Sequence, residues 1–114
     1  MRLDIRTFSG QRIALVHCVG DIIYRDEAEF FHDTVKQLPQ PMVLLDMERV
    51  RTVDACGLGR IASLMKQHRS AHTNLVLLNP RPHLRELLRL TRLDVRTSPA
   101  NPRLPVTQIL RIAA

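Results

Sequence analysis

The sequence predicts an α/β fold: a small sandwich in which a mixed, mainly parallel β-sheet of about five strands carries three to four helices. Three observations point to it. The hydrophobic period switches repeatedly between two and about 3.6 residues. Two short unbroken apolar runs, "MVLLDM" and "NLVLL", have the character of strands buried on both faces of a sheet. The 114 residues supply material for one core rather than two. The implied order is strand, strand, helix, strand, helix, strand, helix, strand, with short right-handed crossovers and no internal repeat.

The elements follow from the residues in turn. "RLDIRTF" alternates with period two and sets Leu3, Ile5 and Thr7 on one face of a half-buried strand; "SGQ" at residues 9 to 11 turns the chain into "RIALVHCV", a more apolar strand ended by Gly20 and Asp21. From Asp26 the period lengthens. Ala28, Phe31, Val35 and Leu38 define one helix face, Asp26 and Glu29 have capping-box spacing, and Pro39 stops the helix. "MVLLDM" is the next strand, with Asp46 near its carboxyl end. A second helix is expected from about Leu58 to His72, with Leu58, Ile61, Ala62 and Met65 inward. After "NLVLL", Pro80 and Pro82 open a third helix whose core stripe is Leu84, Leu87, Leu88 and Thr91, and a short strand near "DVRT" closes the sheet. The domain is expected to span residues 1–98; residues 99–114 form a proline-rich tail with at most one short final helix.

Composition narrows the function. No stretch reaches the roughly 20 apolar residues of a membrane-spanning helix, and Met1 runs straight into a polar alternation rather than a signal pattern, so a cytoplasmic protein without membrane insertion is expected. Cys18 and Cys56 are too few for a disulfide framework and read as thiols. Residues 1–50 hold 6 basic and 8 acidic side chains and residues 51–114 hold 11 and 3, which places the +6 net charge in the second half. Within it Arg81, Arg85, Arg89 and Arg92 form one basic stripe opposite the leucines of the third helix, read as a solvated face or an interface for an acidic protein. With one tyrosine and no tryptophan, direct nucleic-acid binding is not expected.

Chemistry-bearing constellations are few. His68 and His72 have the i, i+4 spacing of a metal pair but no third ligand at sensible spacing, so no metal site is assigned. The glycines of "GLG" lack the lysine and length of a phosphate-binding loop, no nucleophile–base arrangement is legible, and neither catalysis nor a cofactor is expected. What stands out is "VDACGLG", residues 53–59. Asp54 suits a helix N-cap, where an acid accepts orphan amides and meets the positive end of the dipole. Cys56 is either a small filler or a thiol whose reactivity the helix start raises.

The element order, together with the run Val53-Asp54-x-x-Gly57-Leu58-Gly59, a polar turn, an apolar strand and a leucine-rich helix ending in "LTRLD", resembles the STAS domains of bacterial anti-sigma factor antagonists, nearly to residue 97. In that family the residue before the first glycine is usually a serine or threonine that a partner kinase, itself an anti-sigma factor, phosphorylates to release the antagonist. Here the two intervening positions are Ala55 and Cys56, so Cys56 is the phosphoacceptor equivalent and the hydroxyl is missing. Of the nearest hydroxyls, Ser63 should lie more than a turn inside the helix, and Thr52 precedes an inward-turning position. The resemblance implies a non-enzymatic regulator that docks on an anti-sigma factor or a histidine-kinase-like protein kinase. Its contact surface would be Thr52, Asp54, Ala55, Cys56, Gly57, Arg60 and Leu64, without the usual switch. The alternatives are a subunit of a larger assembly, such as a stressosome-like complex or an accessory of a lipid-transporting ABC system, and a redox sensor acting through Cys56.

Overall fold

The amino-terminal hairpin forms as the alternation requires. In the computed structural model, which describes residues 1–90 and 96–97, β1 (Arg2–Phe8) pairs antiparallel with β2 (Ile13–Val19), from Arg2 opposite Val19 to Phe8 opposite Ile13. Ser9, Gly10 and Gln11 turn the chain with φ of 52°, 64° and 67°, all in the left-handed region. The remaining order is α1 (Tyr24–Lys36), β3 (Met42–Arg49), α2 (Ala55–Ser70), β4 (Asn74–Leu78), α3 (Pro82–Leu90) and β5 (Arg96–Thr97). β2, β3, β4 and β5 pair in parallel, and the sheet order β1-β2-β3-β4-β5 follows the sequence. Each parallel step needs a crossover, and the three helices supply them.

The two apolar runs are central strands. Val43, Leu45 and Met47 of β3 and Leu75 and Leu77 of β4 point to one face, where they meet Ala14, Val16 and Cys18 of β2, Ala28, Phe31 and Val35 of α1, Ile61, Leu64 and Met65 of α2, and Leu84 and Leu88 of α3. The alternate residues Ile13, Leu15, Leu44 and Leu78 form a smaller cluster on the other face. With both faces apolar, these strands read as continuous hydrophobic runs instead of alternations. β1 is different: Leu3 packs on the core, whereas Asp4, Ile5, Arg6 and Thr7 are exposed in succession, so Ile5 does not join Leu3 on a buried face.

Three helix expectations need correction. α1 starts two residues before Asp26, with Ile23 at the N-cap and no side-chain cap of its own; Asp26 sits inside the first turn and Glu29 bonds Arg25 and Arg60, so there is no capping box. α1 also ends at Lys36, which leaves Leu38 beyond it, packed against the core. α2 begins three residues before Leu58 and buries Gly57, Ile61, Leu64, Met65 and His68, with Leu58 and Ala62 half-buried. α3 buries Leu84 and Leu88 and half-buries Leu87. Thr91, Arg92 and the tail 99–114 with its final helix lie outside the described residues.

Candidate functional site

The start of α2 is built by two loops that zip together at the carboxyl ends of the parallel strands. The loop after β2 and the loop after β3 run side by side: the Gly20 amide donates to the Arg49 carbonyl (3.2 Å), Ile22 N–H to Thr52 O (2.9 Å), Asp54 N–H to Ile22 O (3.4 Å) and Thr52 N–H to Asp21 Oδ1 (3.2 Å). Ile22 and Val53 make an isolated parallel bridge, and both are buried. Gly57 closes the packing. A Cβ there would run into the Ile22 carbonyl oxygen and lie 2.9 Å from the side chains of Ile22 and Val53, so the first glycine of "GLG" is needed for close approach. The second, Gly59, has no such neighbour.

Asp54 holds this junction. As the N-cap of α2 its Oδ1 accepts from the Gly57 amide (2.9 Å), which is the cap that the sequence predicts. Its Oδ2 accepts from the Tyr24 amide (2.9 Å), so the same carboxylate also caps α1, thirty residues away in the chain. These amides, Gly57 first and Tyr24 second, hold the carboxyl below its ordinary pKa, because each bond favours the ionised form. Tyr24 takes φ of 61° and leaves its side chain 71% exposed. A tyrosine in the left-handed region is strained, and such strain gathers at functional positions.

Around Asp54 the structure brings together Thr52, Ala55 and Cys56, all exposed, and Arg60, half-buried and 3.3 Å from Glu29 of α1. Two expected contacts fail. Leu64 is fully buried in the core, because the buried arc of α2 is turned toward α1 and takes in Leu64 beside Ile61 and Met65. Gly57 is buried too and shapes the surface from below. Tyr24 was not legible from sequence as part of this surface; only the fold brings the start of α1 beside Asp54.

Among the hydroxyls, Thr52 is exposed and Ser63 accepts or donates a 3.2 Å hydrogen bond with His32 Nε2, while His32 Nδ1 lies 3.4 Å from Asp33 Oδ1. This Ser–His–Asp chain ties α2 to α1. Ser63 sits in mid-helix, where backbone amides serve the helix ladder and none is free to hold a developing oxyanion. A second pair, which no local spacing in the sequence signals, is His17 Nδ1 with Asp46 Oδ2 (3.0 Å), set opposite each other by the β2–β3 register, with Asp46 Oδ1 also accepting from the Glu48 amide. His68 is buried and bonds Thr73 Oγ1 (2.7 Å), and burial lowers its pKa; among the described residues no three potential metal ligands converge. Burial pushes the Cys18 thiol up to about 12, whereas Cys56 is the exposed thiol. The basic stripe is partly engaged: Arg81 donates to the Glu48 carbonyl (3.0 Å) and Arg89 pairs with Glu86, while Arg85 is exposed.

The STAS domain family profile matches residues 5–101. The chain belongs to the STAS domain family. A comparison with curated proteins finds no sequence match. Among solved structures, the anti-sigma factor antagonist SpoIIAA in its unphosphorylated form matches with a TM-score of 0.74 at 15% identity, over 99% of each chain. The Bacillus cell fate determinant SpoIIAA in the phosphorylated form matches with a TM-score of 0.72 at 15% identity, over 97% of this chain and 99% of that one. The STAS fold also matches 90% of this chain to 18% of the murine solute carrier 26 family member A9 anion transporter, with a TM-score of 0.64 at 18% identity. These identities show the fold, and this STAS chain shares it with an anti-sigma factor antagonist over 99% of its length. Among the described residues no helix is long and apolar enough to cross a membrane.

Proposed function

We propose that this STAS protein is a non-enzymatic cytoplasmic regulator that docks on an anti-sigma factor or a histidine-kinase-like protein kinase and carries no phosphorylation switch at the usual position. Its contact surface is the junction of the two zipped loops: Thr52, Ala55 and Cys56, with Arg60 at one margin and Tyr24 at the other. The observation that carries the reading is the exposed Cys56 directly before Gly57, at the start of a helix capped by Asp54. That is where the family resemblance expects the phosphoacceptor, and a thiol cannot replace the hydroxyl in forming a phosphoserine. SpoIIAA is known in an unphosphorylated and a phosphorylated form, which supports a regulator of this class and makes the missing hydroxyl the point of difference.

The test is incubation of the full chain with its cognate kinase and ATP, read by mass spectrometry of the loop. The wild type should stay unmodified while Cys56→Ser gains phosphate, and phosphate on the wild-type loop would overturn the unswitched part. Affinity purification with wild type and Tyr24→Ala tests the surface, with the partner expected to be lost from the variant. A second reading, a subunit of a larger assembly, is favoured by the same fold occurring within a transporter chain. Size measurement in native lysate separates the two, since an accessory subunit of an ABC lipid transporter travels with a membrane ATPase and a free antagonist does not.

A further inference from the structure

β1 ends the sheet on one side, and its outer edge has no neighbouring strand among the described residues. Edge strands present unpaired amides and carbonyls to any second strand, and proteins commonly blunt them with proline, bulges or charge. β1 contains no proline or glycine, and its seven residues pair with β2 without a register shift. Asp4, Ile5, Arg6 and Thr7 are exposed in succession, with Ile5 at 41%. Among the described residues charge is the device that regulates this edge, and the charges Arg2, Asp4 and Arg6 alternate in sign along one face.

We propose that this edge pairs with itself: a second copy of the chain docks antiparallel along β1 with Ile5 opposite Ile5. Register decides between attraction and repulsion, because directly opposed side chains lie on the same face and interact. A two-fold axis centred on Asp4 sets Asp4 against Asp4 and Arg2 against Arg6. One centred on Arg6 sets Arg6 against Arg6. One centred on Leu3 uses only residues 1–5 and leaves the rest of the strand unpaired. Centred on Ile5, the pairing uses the whole of β1. It sets Asp4 opposite Arg6 of the second copy at two symmetric places, Leu3 opposite Thr7, the Arg2 stem against the Phe8 ring, and the two exposed isoleucines against each other. The result joins two five-stranded sheets into one continuous sheet. It uses none of Tyr24, Thr52, Asp54, Cys56 or Arg60, so it stands or falls apart from the docking reading.

Charge reversal tests it. Sedimentation equilibrium of the full chain should show a reversible dimer. Asp4→Arg or Arg6→Asp alone places like charges opposite each other twice, and each should weaken the dimer about tenfold or more, from two cross-strand pairs turned repulsive. The double variant Asp4→Arg/Arg6→Asp restores opposite signs and should return to within about threefold of wild type on the same arithmetic. All four positions of the exchange are exposed, and far-UV circular dichroism checks that each variant folds. A wild type that stays monomeric at every concentration, single variants that dimerise like wild type, or a double variant no better than the singles each overturns the proposal.

Discussion

Alanine at Gly57 and alanine at Gly59 should move stability in opposite directions although only Leu58 separates the two sites in the same helix. At Gly57 the added methyl overlaps the Ile22 carbonyl oxygen and stands 2.9 Å from Ile22 Cγ2 and Val53 Cγ1, where carbon atoms prefer about 3.5–4.0 Å. The obstacle is backbone, held by Ile22 N–H to Thr52 O at 2.9 Å and by the Asp54 amide on Ile22 O, so it cannot turn aside as a side-chain tip would. Overpacking of this kind costs about 1–3 kcal/mol, and replacing glycine in a helix returns about 0.5–1 kcal/mol. Gly57→Ala should therefore lose about 1–2 kcal/mol net. At Gly59 nothing lies within 4 Å, and only the gain of about 0.5–1 kcal/mol remains. For a domain near this size 1 kcal/mol moves Tm by roughly 4–8 °C, so Gly57→Ala should melt roughly 5–15 °C below wild type and Gly59→Ala a few degrees above it. Thermal and urea denaturation followed by circular dichroism, with unchanged urea m values, measures both. A Gly57→Ala protein as stable as wild type would refute the close packing of the two loops, and a destabilised Gly59→Ala would refute the open face of α2.

Leu64→Ala should cost about 2–5 kcal/mol in urea unfolding, as for a buried leucine; a loss below about 1 kcal/mol would contradict its place in the core. In the native protein a thiol reagent such as Ellman's should titrate Cys56 quickly and reach Cys18 only on unfolding, since burial disfavours the Cys18 thiolate; two thiols of equal rate would count against that. The stability gap between wild type and Asp54→Asn should be complete above the ordinary carboxylate pKa and close as pH falls through the lowered folded value, because protonation removes the charge that both amides stabilise. A gap that stays constant down to pH 2 would mean that the charge is not its source.

What the sequence makes legible here is what local spacing encodes. The runs at Met42–Met47 and Asn74–Leu78, the hairpin turn and the Asp54 cap on Gly57 all depend on neighbours within a few residues, and all are in the structure. The misses share one cause. Asp26 and Glu29 have capping-box spacing, but α1 begins at Tyr24 because a carboxylate thirty residues later takes its amide, and no local pattern carries that information. The apolar spacing of α2 centres its inward face on Leu58, Ile61, Ala62 and Met65 and leaves Leu64 outside it. Its buried residues fall at Gly57, Ile61, Leu64, Met65 and His68, an arc set by both the sheet and the neighbouring α1. Ile5 alternates correctly with Leu3, yet it lies on the outermost strand of the sheet and is exposed among the described residues, so periodicity overstates its burial.

The double cap also changes what Asp54 does in the proposed docking. Its two carboxylate oxygens are committed to the first turns of α1 and α2, whose positive dipole ends both favour the charge. A partner that drew this carboxylate away would release two helix starts and loosen the zipped loops around Ile22 and Val53. On the docking reading, then, Asp54 positions the surface, and contact falls to the side chains it holds in place: Tyr24, Thr52, Ala55, Cys56 and Arg60. Loss of binding in Asp54→Ala would accordingly come with a lowered Tm, whereas Tyr24→Ala, at an exposed side chain, should lose the partner with the Tm nearly unchanged. An Asp54→Ala protein that keeps its melting point but loses its partner would return Asp54 to a direct contact.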